Sequence, residues 1–191
     1  GFQGPAETIC TACAAATHAI GNAARLIAWG RCDAVLTGGA ESAATITALA
    51  GFSNMTALSS TLVSKPFDAT RDGFIMGEGA AVFVLERMDL AIARGATIIA
   101  EIVGAASNAD AHHITAPSPG GVGASRCMQM ALDDAGLQSS DIKQINAHGT
   151  STPLNDAAEA QAIETVFGKN TVPVVSIKGV TGHPLGAAGA L

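Results

Sequence analysis

A cysteine, two histidines and a lysine stand in this sequence where side chains can do chemistry. Cys13 lies in Thr11-Ala12-Cys13-Ala14-Ala15-Ala16, where a short apolar segment gives way to an Ala-rich helical pattern. A thiol at a helix N-terminus meets unpaired backbone N–H groups and the positive end of the helix dipole. Both favour the thiolate, which is the nucleophile, and the small neighbours leave room for a substrate. Composition alone favours a buried structural cysteine at such a place. Cys10-x-x-Cys13 also has the spacing of a redox or metal pair. No second CxxC completes a zinc site, however, and on a strand over residues 8–12 Cys10 would face inward.

His148 sits in Asn146-Ala147-His148-Gly149-Thr150-Ser151-Thr152, just past an apolar strand pattern. Loops at strand ends are where α/β proteins bind ligands. A turn histidine bonded only to its own loop fits the same residues. Lys178-Gly179-Val180-Thr181-Gly182-His183-Pro184 also follows a strand pattern, and a cation and an imidazole on one Gly-rich loop could polarise a carbonyl. A phosphate-binding loop would need the Gly-x-x-x-x-Gly-Lys-[Ser/Thr] order, which is absent. Asp110, His112 and His113 make a weak metal set, because adjacent histidines in extended chain point apart. Asp156 and Glu159 fall i, i+3 on one helix face close to His148, a spacing that ordinarily marks a solvated or ion-paired face.

The elements that must position these groups alternate. Strands are predicted over residues 8–12, 34–37 (ended by Gly38-Gly39), 80–85, 97–103, 142–147 and 172–177. Helices are predicted over 14–29, 88–94, 122–134 (stopped by Gly136) and 153–166, the last begun by Pro153. A further helix begins at 186–190. Residues 59–73 and 108–123 read as loops. The alternation implies an α/β fold with a mostly parallel sheet. One unit repeats: strand, Cys13, small-residue helix; then strand, Lys178 and His183, small-residue helix.

Bulk properties narrow the class. The 191 residues are 48% hydrophobic and 14% charged, too rich in core-forming side chains for extensive disorder. A net charge of −6 argues against a general nucleic-acid binder, and no apolar run reaches the roughly 20 residues of a membrane span. Four cysteines without a secretory signal fit reduced thiols in the cytoplasm rather than a disulfide framework. The start at Gly1 and the stop inside a Gly/Ala-rich stretch lead us to expect an internal fragment.

Taken together, the segments resemble the β-ketoacyl synthase family of thiolase-like condensing enzymes along the whole chain. The resemblance is carried by Thr11-Ala12-Cys13, Gly38-Gly39-Ala40-Glu41, Lys65-Pro66-Phe67-Asp68 through Arg71-Asp72-Gly73-Phe74, Gly77-Glu78-Gly79 and the two histidine motifs. Asp110-Ala111-His112-His113-Ile114-Thr115 and Thr181-Gly182-His183 favour the stand-alone, type II form over a modular polyketide enzyme. The resemblance implies a five-layered α/β/α/β/α fold of two related halves, here residues 1–95 with the nucleophile and 96–191 with both histidines. It also implies a homodimer that works on acyl carrier protein, with no nucleic-acid or membrane partner.

The implied reaction is decarboxylative condensation of malonyl carrier protein with an acyl group on Cys13, in fatty-acid elongation. His148 and His183 would stabilise the enolate, with Lys178 and Glu159 as charged support. Phe52 would line the acyl pocket near the dimer interface, and Thr150 and Thr152 would contact the phosphopantetheine arm. No metal and no cofactor of the enzyme's own is implied, since the arm belongs to the carrier protein. Asn54, Met55 and Thr56 depart from the family, which often has a basic docking residue there. The alternatives are a polyketide ketosynthase, a thiolase-like enzyme using coenzyme A thioesters, and a non-catalytic partner subunit.

Overall fold

Two strands of eight residues form the longest ladder in the protein. In the computed structural model, which describes residues 1–191, β1 (Ala34–Glu41) pairs antiparallel with β2 (Gly79–Glu86), in register from Ala34 opposite Glu86 to Glu41 opposite Gly79. The Gly38-Gly39 pair therefore does not end the strand, as the sequence suggested. It lies within β1 because a helix and a turn press on it. A Cβ on Gly39 would stand 2.6 Å from the Ala16 Cβ and 2.9 Å from the Gly186 carbonyl oxygen, so only glycine admits the contact.

The chain forms two compact units, each taking residues from both sides of Gly95. The first comprises Gly1–Ser42, Glu78–Val103 and Pro184–Leu191. It holds α1 (Ala15–Ala28), β1, β2, α3 (Met88–Ala93) and a 3-10 turn at Leu185–Ala187. Its buried apolar residues Ala16, Ala23, Ala91, Ala187 and Ala190 are all small. Close backbone packing, not bulky side chains, fills this core.

The second unit comprises Ala43–Gly77 and Gly104–His183. It holds α2 (Ile46–Asn54), α4 (Val122–Ala135), β3 (Ile145–Asn146), α5 (Pro153–Phe167), β4 (Val174–Val175) and the four-residue α6 (Lys178–Thr181). β3 and β4 pair in parallel, with α5 as the crossover between them. Pro153 opens α5 as expected, at a position where its missing N–H costs nothing.

The mixture of helix and strand is the expected α/β class, but three details differ from the sequence reading. The main ladder is antiparallel, and the parallel pair is only two residues long. Residues 8–12 and 97–103 form no strand. An apolar run becomes a strand only when a neighbour takes its backbone hydrogen bonds, and neither run has a ladder partner; Ile99 is 95% exposed. Cys10 is accordingly exposed, not turned inward. No helix is long and apolar enough to cross a membrane.

Candidate active site

The second unit brings His148 and His183 together. Their rings meet edge to face, with centroids 5.3 Å apart and planes at 81°. Each ring is held by a backbone lock. The His183 N–H donates to the Ile75 carbonyl at 2.7 Å, and the His183 carbonyl accepts from the Gly77 N–H at 3.0 Å. Ile75–Gly77, just after Arg71-Asp72-Gly73-Phe74, thus pair directly with His183.

His148 leaves β3 into a loop fixed by Glu159. One carboxylate oxygen accepts from the His148 N–H and the other from the Gly149 N–H, both at 2.7 Å. Gly149 has φ +41°, and a Cβ there would meet Ser176 at 2.6 Å and the Phe67 ring at 3.0 Å. The loop can follow this path only with glycine at that point. Burial pushes the Glu159 carboxyl up, and the two loop N–H groups act against that shift. The structure thus sets Glu159 behind the histidine loop, as a clamp on its backbone.

Electrostatics leave both rings neutral. Burial, and then the Lys178 charge, push His148 down to about 4. Burial, then His148 and Lys178, push His183 down to about 3. His183 is 1% exposed and Lys178 is buried at the start of α6. At neutral pH each imidazole therefore carries one N–H donor and one bare nitrogen, which suits hydrogen bonding to a developing oxyanion.

A ring stack continues behind the pair. Phe74 meets His183 edge to face at 5.0 Å, and Phe52 of α2 meets Phe74 at 5.4 Å. Phe52 is half-buried there. Thr150 and Thr152 share a hydroxyl–hydroxyl bond of 2.9 Å, with Thr150 buried. Asp110 accepts from the Ser118 N–H, and the His113 Nδ1 accepts from the Thr115 and Ala116 N–H groups. These groups brace their own loop.

Asp156 is the residue the sequence reading undervalued. It is 1% exposed, not on a solvated face. Its carboxylate accepts from the Phe67 N–H at 2.7 Å and the Ser151 N–H at 3.1 Å, with the Arg71 guanidinium 3.8 Å away. Ser151, fully buried at φ +69°, accepts in turn from the Lys65 N–H at 2.8 Å. Arg71 also donates to the Thr152 and Pro153 carbonyls. Nearby, the Ser59 and Ser60 hydroxyls hold the Asp72 carboxyl down to about 2, tying that loop to Phe74's neighbour. In the sequence, only the acid in the first turn of α5, following a run of hydroxyl residues, hinted at this junction.

Asp156→Asn keeps the shape of the side chain but removes the charge that the Phe67 and Ser151 N–H groups point at. We expect a stability loss of about 2 kcal/mol, the scale of a hydrogen bond to a charged group. Urea unfolding of the whole protein measures it. An unchanged midpoint would contradict the clamp.

Cys13 lies in the first unit, partly buried, in the 3-10 turn Ala12–Ala14 that runs into α1. The first turn of α1 contains no acidic side chain to offset the helix dipole at the thiol. The sequence points to a strand-to-helix junction at Cys13; the structure has the helix start there but no strand before it.

The α/β framework is that of the thiolase-like ketosynthases. It matches a type II PKS acyl-carrier protein in complex with its ketosynthase bound to the hexaketide, with a TM-score of 0.91 and 39% identity, over 94% of this chain and 46% of the other. It matches a β-ketoacyl synthase from Burkholderia phymatum with a TM-score of 0.90 and 46% identity, over 94% of this chain and 44% of the other. Residues 1–91 match the family model described as Beta-ketoacyl synthase, N-terminal domain, and residues 99–191 match that for the C-terminal domain, so the chain belongs to the β-ketoacyl synthase family.

Among curated relatives, 3-oxoacyl-[acyl-carrier-protein] synthase 2 of Staphylococcus aureus is 48% identical, over all of this chain and 49% of its own length. The mitochondrial 3-oxoacyl-[acyl-carrier-protein] synthase of Arabidopsis thaliana is also 48% identical, over all of this chain and 44% of its own length. The chain spans about half the length of the curated relatives it matches.

Proposed function

We propose that this chain carries the reaction centre of a 3-oxoacyl-[acyl carrier protein] synthase that elongates fatty acyl chains. The observation that carries the reading is the pair of neutral imidazoles, edge to face at 5.3 Å and locked by Glu159 on one side and Ile75–Gly77 on the other. Two neutral donors converging on one oxygen stabilise an enolate without supplying an acid strong enough to quench it.

The reaction runs through two half-reactions. The Cys13 thiolate attacks the thioester carbonyl of an acyl carrier protein, and the carrier's phosphopantetheine thiolate leaves and takes a proton. Malonyl carrier protein then binds, with Thr150 and Thr152 contacting its phosphopantetheine arm and Phe52 lining the acyl pocket. The malonyl C–C bond breaks, carbon dioxide leaves, and the electron pair passes into an enolate whose oxygen is held by His148 and His183. The enolate carbon attacks the acyl–Cys13 carbonyl, and the Cys13 thiolate departs. Burial, with help from the Lys178 charge, keeps the imidazoles unprotonated. No step calls for a metal, nucleotide or redox group.

The acyl carrier protein is the partner this chemistry requires, and one structural neighbour is a ketosynthase held by its carrier protein. A second copy of the chain completes the unit as a homodimer. Four cysteines outside any disulfide suit a reducing cytoplasm. Identity is higher to the 3-oxoacyl synthases, 48%, than to the polyketide ketosynthase, 39%, which favours fatty-acid elongation over polyketide synthesis. Cys13 with both histidines speaks against a silent partner subunit.

Incubating the whole protein with acyl and malonyl carrier proteins tests the proposal. We expect one 3-oxoacyl product, two carbons longer than the acyl donor, for each carbon dioxide released. Condensation of acetyl-coenzyme A without carbon dioxide release would instead mark a thiolase.

A further inference from the structure

The bend that presents Cys13 is strained, and the two residues that make it leave their side chains exposed. Thr11 has φ −127° and ψ 44°, and Ala12 follows at φ +50°, in the left-handed region. For a residue with a Cβ this conformation is disfavoured, and it persists only where the surroundings fix it. Both residues are exposed. The helix that follows is secured separately, since Ala16 is 1% exposed and its Cβ fits against Gly39. Ala14 at the N-cap of α1 forms no side-chain cap bond. The Leu185–Ala187 turn comes close to the Ala12 backbone, and a side-chain bond supplies a second anchor for the residues just before the nucleophile.

That anchor runs from the bend into the helix. The Thr11 hydroxyl lies 2.8 Å from the His18 Nδ1, reaching over the bend to the second turn of α1. The backbone adds one contact, from the Ala14 N–H to the Thr11 carbonyl at 3.1 Å. The side-chain bond forms with either ring tautomer, because a hydroxyl can donate to a bare nitrogen or accept from an N–H.

We propose that His18 is a positioning residue for the nucleophile, acting through Thr11. The Thr11–His18 bond closes the loop around Ala12 and Cys13 and sets the direction of the thiol. Breaking it frees Ala12 to leave the left-handed region, and the thiol swings from the line of attack. This inference rests on Cys13 being the acylated residue. It adds a role that the histidine pair cannot fill, because His148 and His183 act on the malonyl group. The acylation half-reaction should therefore depend on His18, while decarboxylation should not.

The test uses the whole protein with Thr11→Val, Thr11→Ser, His18→Leu and the Thr11→Val/His18→Leu double variant. Burst acylation of Cys13 by acyl carrier protein is read by mass spectrometry, alongside carbon dioxide release from malonyl carrier protein and thermal unfolding. Thr11→Val and His18→Leu should each slow acylation on the order of tenfold, the scale of a sub-ångström misplacement of a reacting group. The double variant should be no slower than either single one, because both remove the same bond. Thr11→Ser, which keeps the hydroxyl, should stay within about twofold of the parent. Carbon dioxide release should hold in all four.

Single-variant losses that multiply in the double variant, or acylation at the parental rate in His18→Leu, would overturn the proposal. So would an acylation loss that tracks a fall in unfolding temperature, with decarboxylation falling in parallel. A parent enzyme that acquires no acyl group on Cys13 would instead refute the underlying assignment of the nucleophile.

Discussion

His183→Ala in the whole enzyme should lower carbon dioxide release from malonyl carrier protein at least about 100-fold, the cost of losing one oxyanion donor. Acylation of Cys13 should survive within a few-fold. The separation follows from the geometry around the ring. His183 is 1% exposed, faces His148 at 5.3 Å and rests its edge against Phe74, so its role lies with the oxygen the pair would hold.

The pH profile supplies an independent check. The imidazoles titrate near 4 and 3 because burial and Lys178 disfavour their protonated forms. Both therefore stay neutral as pH falls from 7 to 5. Carbon dioxide release by the parent enzyme should be level across that range, instead of falling with a midpoint near 6.5, the value of an ordinary histidine. Initial rates at constant ionic strength measure it. An acid limb centred near 6.5, or a His183→Ala enzyme that decarboxylates normally but no longer acylates, would make the histidine the base for the cysteine.

The candidate groups were legible in the sequence because each lies at a junction marked by local signals. Cys13 stands before an Ala-rich helical pattern, and His148 and His183 stand in Gly-rich loops after apolar runs. Pro153 and Gly136 bounded α5 and α4 correctly, since caps depend on neighbours a few residues away.

The supports were not legible, because they are made by residues distant in the chain. The Asp156 carboxylate is buried by a backbone N–H that lies 89 positions earlier, at Phe67. Its i, i+3 relation to Glu159 looked like a surface pair until that partner was placed. The strands expected at 8–12 and 97–103 failed for the complementary reason. Val, Ile and Thr content signals a readiness to pair, but pairing is a property of two segments. Gly38-Gly39 was misjudged as an end because glycine also marks close approach, here of α1 and the Leu185–Ala187 turn to β1.

Cys13→Ala should abolish condensation altogether, lowering it by at least about 1,000-fold, because no other thiol stands at the start of α1 to hold the acyl chain as a thioester. Cys10, Cys32 and Cys127 are free thiols, but none lies in the turn that opens α1. Burial also pushes the Cys127 thiol up, away from the reactive form. Decarboxylation should persist in the Cys13→Ala enzyme, since the imidazole pair is untouched.

The central claim is tested most directly by mass spectrometry of the parent protein after brief mixing with an acyl carrier protein thioester, without malonyl carrier protein. The account predicts one acyl group per chain, on the peptide containing Cys13 and no other, removed when malonyl carrier protein is added. An acyl group on Cys10, Cys32 or Cys127, or a fully unmodified protein that still makes 3-oxoacyl product, would contradict it.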